Sequence, residues 1–194
     1  MRALIILGHP KPGSFNHAIA ETVRQHLQRN GHEVVLHDLY QECFDPVLPV
    51  EELNAPEEEL PENIRSHMQE IRDADILAFV HPNWWGGPPA ILRGWLDRVV
   101  RQGFAYRFTP NGPIPMFTEK AVQIFSTSNT PRDVELNVYG DPIEVFWKTV
   151  VFGLCGSKTF ERRNFESIIL STPEERAAWL DEVAQTIDRR FPAG

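Results

Sequence analysis

Five short strand-like segments alternate with amphipathic segments along this chain, and this alternation restricts the fold more than any other feature. Ala3–Leu7 is a continuous apolar run and Asp75–His81 is mostly apolar, as expected for strands buried on both faces of a parallel sheet. Between such segments, apolar residues recur at helical spacing, most clearly over Phe15–Arg29 and Pro173–Arg190. Strands that alternate with helices predict a doubly wound α/β sheet. We therefore expect a single domain over residues 1–194, with helices on both faces of five parallel strands.

The remaining predicted elements continue the alternation. The other predicted strands are Glu33–Leu36, Lys120–Ser126 and Ser157–Arg163, and the other predicted helices are Pro61–Arg72, a helix with Pro89 at its first position, and Asp141–Phe152. Ser14 is predicted to cap the first helix and Gly31 to end it. The segment Tyr40–Leu60 is predicted to be a loop. Its acidic end, Glu51–Glu62, is interpreted as a solvated loop, with a partner-docking surface as the alternative.

Charge and cysteine usage exclude several classes of partner. The 194 residues include 19 basic and 27 acidic side chains, and the resulting net charge of −8 argues against nucleic acids and anionic membranes as partners. The two cysteines, Cys43 and Cys155, form no CxxC pair and are expected to be reduced thiols of a cytoplasmic protein. The first apolar run is too short for a signal peptide or an integral membrane segment.

Three loops follow predicted strands and are expected to meet at one edge of the sheet, where open parallel sheets bind ligands. The first, Gly8–Ser14, leads into the N-terminus of a helix, whose free N–H groups and dipole favour a phosphate group. A capped turn without a ligand is the alternative for this loop. It lacks the glycine spacing GxGxxG of dinucleotide-binding folds.

The second loop, Pro82–Pro88, contains two adjacent tryptophans between prolines and glycines. Trp84 and Trp85 offer a large aromatic area on a stiff loop, which suits a flat ring. The alternative is that the tryptophans cover the core or a dimer interface. The third loop, Ser126–Asp133, offers hydroxyl and amide groups for the polar edge of such a ring, although these residues are also common in turns.

Metal and acyl-transfer sites are not expected from the histidines. His32 and His37 do not have the spacing HExxH of zinc proteases, and no GxSxG motif accompanies the pair His9 and Ser14. His26 and His67 lie on predicted helix faces and are interpreted as solvated.

Four segments at these loops resemble the NAD(P)H:quinone oxidoreductase family. They are LGHPKPGSFNHAIA at 7–20, HPNWWGGPPAILRGWLDRVV at 81–100, GFAY at 103–106 and AVQIFSTSN at 121–129, with a weaker match in GDPIEVFWKTVVFGLCG at 140–156. The resemblance implies a flavodoxin-like fold with strand order 2-1-3-4-5. It also implies a flavin-dependent NAD(P)H oxidoreductase, in which NAD(P)H gives a hydride to the flavin and a quinone or similar flat acceptor then takes two electrons.

The family resemblance further implies a homodimer with a non-covalent flavin, FAD or FMN, at each interface, and it places Trp95 and Phe104 at the dimer interface. The cofactor-binding residues that it implies are His9, Ser14, Phe15, Asn16, Ala18, Pro82, Asn83, Trp84, Trp85, Gly86, Ser126, Thr127, Ser128 and Asn129.

The chain departs from the family pattern at two places. Ser126-Thr127-Ser128-Asn129 stands where better-known members carry Thr-Thr-Gly-Gly, and Tyr139 stands where they carry a histidine that buffers charge on the reduced flavin. Tyr139 is therefore the catalytic candidate. Two alternatives to a quinone reductase remain: a flavoprotein accessory subunit of a membrane ion-efflux system, and a one-electron carrier.

Overall fold

All five predicted strands pair in one parallel sheet in the computed structural model, which describes residues 1–194. A separate antiparallel hairpin was not predicted from the sequence. The strands are β1 (Arg2–Leu7), β2 (Glu33–Asp38), β3 (Ile76–Pro82), β4 (Tyr106–Thr109), β5 (Gly112–Pro115), β6 (Ala121–Thr127) and β7 (Thr159–Phe165). The sheet has the order β2-β1-β3-β6-β7, and β4 and β5 form the hairpin. Counted over the parallel strands alone, this is the predicted order 2-1-3-4-5, which is confirmed.

The connections between strands are mostly helical. The helices are α1 (Phe15–Arg29), α2 (Glu62–Asp73), α3 (Ala90–Val99), α4 (Arg132–Asn137), α5 (Pro142–Glu144), α6 (Phe152–Cys155) and α7 (Pro173–Arg190), with a π-helical segment, Val145–Val151, between α5 and α6. Short 3-10 turns occupy Val50–Glu52, Glu57–Glu59 and Ile168–Leu170. No helix combines the length and the apolar character needed to cross a bilayer.

The predicted bounds hold best where the periodicity is longest. Helices α1 and α7 have the predicted bounds, and Ser14 caps α1 as predicted, with its Oγ accepting the N–H of His17 at 3.4 Å. Pro89 precedes α3 as its cap residue and is not the first helical residue. The predicted helix Asp141–Phe152 is replaced by α5, the π-helical segment and α6. The strands β4 and β5 lie outside the parallel sheet, so they lack the buried apolar run that identifies the others.

Each face of the sheet has its own core. Helices α1 and α7 cover one face, and α2, α3 and the π-helical segment cover the other. Trp95 and Trp147 are completely buried in this second core. The expectation that Trp95 fills a dimer interface is therefore wrong, because its indole packs inside its own chain against Phe79. Phe104 is half-buried against Phe117, also within the chain.

The acidic segment Glu51–Glu62 is only partly solvated. Glu51 and Glu58 are exposed, but Glu52 is buried, and its Oε2 accepts the Nε–H of Arg98 at 3.0 Å. The prediction of a solvated loop is therefore wrong for Glu52, which ties this segment to α3.

Gly94 is expected to tolerate no side chain. A Cβ at this position of α3 would overlap the backbone carbonyl of Pro46. Gly94→Ala should therefore lower the free energy of unfolding by about 1–3 kcal/mol, as overpacked sites do. Gly153→Ala is the matched control, since its Cβ would meet only the Lys148 carbonyl at 3.4 Å. Urea unfolding measures both variants, and equal losses of stability in the two would contradict this account.

Candidate active site

The three predicted loops meet at the carboxyl edge of the sheet and enclose a cleft of about 400 Å³. Strands β1, β3 and β6 are neighbours in the sheet, so the loops that follow them lie side by side. Ten of the predicted cofactor-binding residues line this cleft: His9, Ser14, Phe15, Asn16, Pro82, Asn83, Trp84, Thr127, Ser128 and Asn129.

One end of the cleft is the N-terminus of α1, which presents free hydrogen-bond donors. The backbone N–H groups of Phe15 and Asn16 have no acceptor within the chain, while the N–H of Ala18 is already bonded to the carbonyl of Ser14. Free N–H groups and the positive end of the helix dipole together favour an anion. The arrangement suits a phosphate group.

The charges around the cleft agree with an anionic ligand. Lys11 and Arg176 line the cleft, and no aspartate or glutamate does, although the chain as a whole carries a net charge of −8. Arg176 lies in α7, where its Nη2 donates to the carbonyl of Ile168 at 2.9 Å. The sequence analysis did not single out Arg176, because nothing local places α7 beside the first loop.

A hydrogen-bonded series of side chains fixes the Ser14 hydroxyl at the cleft. Ser14 Oγ lies 2.8 Å from His17 Nδ1, and His17 Nε2 lies 3.0 Å from Asp38 Oδ2. Asp38 ends β2, and its Oδ1 also accepts the N–H groups of Tyr40 and Gln41, each at 3.2 Å. In the tautomer with a proton on Nε2, His17 donates to Asp38 and accepts the hydroxyl proton of Ser14. His17 was not predicted; its position three residues after the cap was the available signal.

The cleft also has an aromatic surface, formed by Trp84 beside His9. Trp84 is 43% exposed, and its ring lies 6.2 Å from that of His9. Burial lowers the pKa of His9, whose Nδ1 accepts the N–H of Lys11 at 3.1 Å. A neutral imidazole and a half-exposed indole therefore offer apolar faces for a flat ring.

Five predicted site residues lie outside the lining of the cleft: Ala18, Trp85, Gly86, Ser126 and Tyr139. Trp84 and Gly87 exchange backbone hydrogen bonds of 2.9 and 3.1 Å, which puts Trp85 and Gly86 at the tip of a tight turn. Tyr139 is 60% exposed.

Ser126 differs from its predicted neighbours because its side chain is inside the protein. Its hydroxyl is completely buried and donates to Asn164 Oδ1 at 2.8 Å, and Asn164 Nδ2 in turn donates to Ser128 Oγ at 3.2 Å. Successive side chains of a strand point to opposite faces, so Ser126 and Thr127 do not face the same space. Ser126 supports the polar loop from behind instead of facing a ring.

Glu135 is a buried carboxylate directly behind the cleft, and the sequence analysis missed it. Its Oε1 accepts a hydrogen bond from Asn83 Nδ2 at 2.5 Å, while its Oε2 is buried without a partner. Burial, followed by the nearby charge of Asp141, raises the pKa of Glu135. No local pattern marks this residue, because its helix, α4, is less than two turns long.

Glu135→Gln is expected to increase the stability of the protein at neutral pH. A carboxyl whose pKa is raised on folding destabilises the folded state at pH values above that pKa, where it is ionised, and this penalty disappears as the pH falls through it. The free energy of unfolding of the variant should be roughly 1 kcal/mol higher at pH 7, about the cost of leaving a buried polar atom without a hydrogen bond. This gain should shrink in acid. Thermal unfolding over a pH series measures this. Exposed Glu58→Gln is the control, and a gain that does not depend on pH would refute the assignment.

A larger cleft of about 560 Å³ lies between the end of α3 and the π-helical segment. Ten of its 15 lining residues are hydrophobic, among them Leu53, Phe146 and Val150. None of the three loops that are predicted to bind a ligand lines it. Volume alone therefore does not select the candidate site, and the free donors favour the smaller cleft.

The comparison with known proteins agrees with this geometry. Residues 1–191 match the family model described as the flavodoxin-like fold. The chain belongs to this family. This flavodoxin-like protein is 36% identical to an uncharacterized NAD(P)H oxidoreductase of Haemophilus influenzae over all of its own length and 97% of the relative. It is 31% identical to NAD(P)H dehydrogenase [quinone] 1 of Cavia porcellus, over 90% of this chain and 72% of the relative.

Among solved structures, a crystal structure of a protein from Streptococcus mutans UA159 superposes on this flavodoxin-like protein with a TM-score of 0.87. The two are 33% identical over 97% of this chain and all of the other. The resemblance to NAD(P)H:quinone oxidoreductases that the loop motifs indicate is therefore confirmed along nearly the whole chain.

Proposed function

We propose that this flavodoxin-like protein is a flavin-dependent NAD(P)H oxidoreductase that passes two electrons to a quinone or a similar flat acceptor. The observation that carries the proposal is the cleft, where the free N–H groups of Phe15 and Asn16 and the indole of Trp84 line one space. Relatives named as NAD(P)H oxidoreductase and quinone dehydrogenase support it. Their names favour an enzyme over a transporter accessory subunit or a one-electron carrier.

The residues of the cleft fit a flavin, either FMN or FAD. A phosphate group needs the donors and positive charge found at α1, and an isoalloxazine ring needs an aromatic surface with polar groups at its edge. Thr127, Ser128 and Asn129 supply such polar groups on the loop after β6. The carbonyl oxygen of the Asn83 side chain is buried and unpartnered, so it is also available as an acceptor.

The residues of this chain bind the flavin and orient its ring in the cleft. Ser14 and the N–H groups of Phe15 and Asn16 bind the phosphate, and Trp84 holds the ring in the cleft. A bound flavin supplies the hydride chemistry between NAD(P)H and the acceptor. Glu135 Oε1 accepts the Nδ2–H of Asn83 and so holds the Asn83 amide in place at the cleft. A catalytic role for Tyr139 stays a prediction, because its side chain is largely exposed and outside the cleft.

The active form is a homodimer in which a second copy covers the larger cleft. The support for this is a set of exposed apolar side chains on the hairpin and the π-helical segment, since exposed apolar patches mark interaction surfaces. These side chains are Phe108, Ile114, Val145 and Val150, which are between 38% and 56% exposed.

The free cysteines Cys43 and Cys155 support a reducing, cytoplasmic location.

Val150→Glu is expected to convert the dimer into monomers, because it buries an unpaired charge in the proposed interface. Val35→Glu on β2, at the opposite edge of the sheet from β7, makes the same charge change and should leave the dimer intact. Sedimentation velocity measures both variants. A monomeric wild type, or a dimer that survives Val150→Glu, would exclude this interface.

The function is tested by an anaerobic absorbance spectrum of the purified protein before and after NADH or NADPH, with the released flavin identified by chromatography. We expect a flavin band at about 450 nm that bleaches with the preferred donor and returns when a quinone is added, since the cofactor carries the chemistry. A colourless protein that binds neither FMN nor FAD would overturn the proposal.

A further inference from the structure

Two histidines and two glutamates meet between β2 and α2, on residues that do not line the cleft. His37 Nε2 lies 2.6 Å from Glu70 Oε2, and His37 Nδ1 lies 2.9 Å from Glu42 Oε1. His67, one turn before Glu70 on α2, has its Nδ1 3.9 Å from the same Glu70 oxygen. One ligand atom from each of His37, His67 and Glu70 lies within 4.8 Å of the others.

His67 has an unsatisfied nitrogen that faces this cluster. Its side chain is 6% exposed, so the expectation of a solvated histidine is wrong, and Nδ1 is buried with no hydrogen-bond partner. The ring is packed against the edges of Phe44 and Trp95 and is 4.2 Å from the ring of His37. Burial lowers the pKa of His67 to about 4, so the imidazole is neutral at pH 7. A buried polar atom without a partner normally has a structural explanation, such as an ion.

We propose that this cluster is a Zn²⁺ site with His37 Nε2, His67 Nδ1 and Glu70 Oε2 as ligands. Two imidazoles and one carboxylate with an open position for water is an established zinc coordination set. Zinc–ligand distances of about 2.0–2.2 Å place tetrahedral ligand atoms roughly 3.4 Å apart. The observed separations of 2.6 Å and 3.9 Å lie on either side of that value. The two histidine nitrogens lie within 4.8 Å of each other. Side-chain adjustments of up to about 1.4 Å therefore complete the site.

Glu42 has the position of an orienting residue for the metal ligand His37. When His37 Nε2 binds the ion, Nδ1 carries the proton and donates it to Glu42, as carboxylates commonly orient zinc-bound histidines. The hydrogen bond between His37 and Glu70 is then replaced by two bonds to the metal, and any proton between them is released.

The competing arrangement is a protonated His37 that bridges Glu42 and Glu70 without a metal. It accounts for both short distances at His37 but leaves His67 Nδ1 unpartnered. The zinc site accounts for all three residues. It joins the edge strand β2 to α2, so the bound ion should stabilise the folded chain by mass action.

The test is isothermal titration calorimetry of ZnCl₂ into untagged, chelator-treated protein that retains whatever cofactor it is purified with. We expect one zinc per chain with a Kd at or below the micromolar range. His67→Gln should weaken binding at least about 100-fold, and Glu42→Gln about 10–100-fold, as changes of orienting residues do. His26→Gln is the matched control and should leave zinc binding unchanged, because His26 pairs with Asp188 on α7 and is not part of this cluster. Cys43→Ser tests whether the exposed thiol binds zinc instead.

Absence of stoichiometric zinc would overturn the proposal, as would unchanged binding in His67→Gln or lost binding in Cys43→Ser. Circular dichroism verifies that each variant is folded. The absorbance spectrum of the wild-type protein with Co²⁺ in place of Zn²⁺ tests the coordination geometry without any variant. Intense bands of a tetrahedral ion are expected, and the weak bands of an octahedral ion would contradict the assigned ligand set. None of these readouts depends on flavin or on oxidoreductase activity, so they test this site separately from the proposed function.

Discussion

Replacing Ser14 with aspartate is expected to lower the affinity of the protein for flavin about 100-fold without unfolding it. Aspartate is as good a helix cap as serine, so α1 should keep its N-terminus. Its negative charge, however, would stand beside the phosphate that we propose to lie at the N–H groups of Phe15 and Asn16. Two like charges about 4 Å apart repel by about 1 kcal/mol in water and about 4 kcal/mol near a protein surface, and a 100-fold loss lies between these limits.

Two variants make this experiment specific. Ser14→Thr keeps a neutral hydroxyl at the cap and should bind flavin nearly as well as the wild type. Thr172→Asp makes the same charge change at the cap of α7, whose capping box with Glu175 already occupies its donors, and should also leave the affinity unchanged. Flavin fluorescence titrations give the dissociation constants. If Ser14→Asp binds flavin like Ser14→Thr, the phosphate does not lie at α1.

Glu52→Ala is expected to lower the free energy of unfolding by about 3–5 kcal/mol, the usual cost of breaking a buried ion pair. The side chains of Glu52 and Arg98 are only 7% and 6% exposed, and two hydrogen bonds of 2.5 and 3.0 Å join them. Arg98 also donates to the carbonyl of Asp45 at 2.7 Å. The single variant leaves the guanidinium buried without its counter-charge, and urea unfolding measures the loss.

Removing both charges should restore most of the loss. The double variant Glu52→Leu, Arg98→Met replaces the pair with apolar groups of similar volume, which is often neutral or stabilising. Arg189→Ala is the control for an exposed pair, because Arg189 contacts Glu161 at 2.6 Å but is 62% exposed, and it should cost less than about 1 kcal/mol. A double variant as unstable as Glu52→Ala would contradict this account, because the loss would then not come from an uncompensated buried charge.

The sequence predicts the parallel sheet well because burial on both faces leaves an unmistakable pattern. Ile5 and Ala78 lie in strands covered on both sides, and every neighbouring position in these strands is also apolar. The hairpin of β4 and β5 has no such pattern, since it is paired outside the sheet and mostly exposed. Local periodicity therefore reveals elements that cross the core and misses those that do not.

The sequence likewise predicts some residues of the candidate site and misses others. Residues such as Ser14 and Trp84, which lie in the loops directly after strands, were predicted because topology alone brings these loops together. Arg176 reaches the cleft, and Glu135 reaches Asn83 behind it, from helices that connect or follow later strands, and only the packing of those helices places them there. For His67, the sequence predicts the helix correctly but not the burial of the side chain, because that burial depends on packing against Phe44 and Trp95.

The tight turn after β3 gives the protein built-in optical probes. Trp85 is completely solvent-exposed and Trp84 is 43% exposed, whereas Trp95 and Trp147 are completely buried. Iodide should therefore quench a long-wavelength part of the tryptophan emission and spare a short-wavelength part. Flavin binding at the cleft should change the first part through Trp84, and unfolding should change the second. One fluorescence spectrum thus separates occupancy of the cleft from integrity of the core.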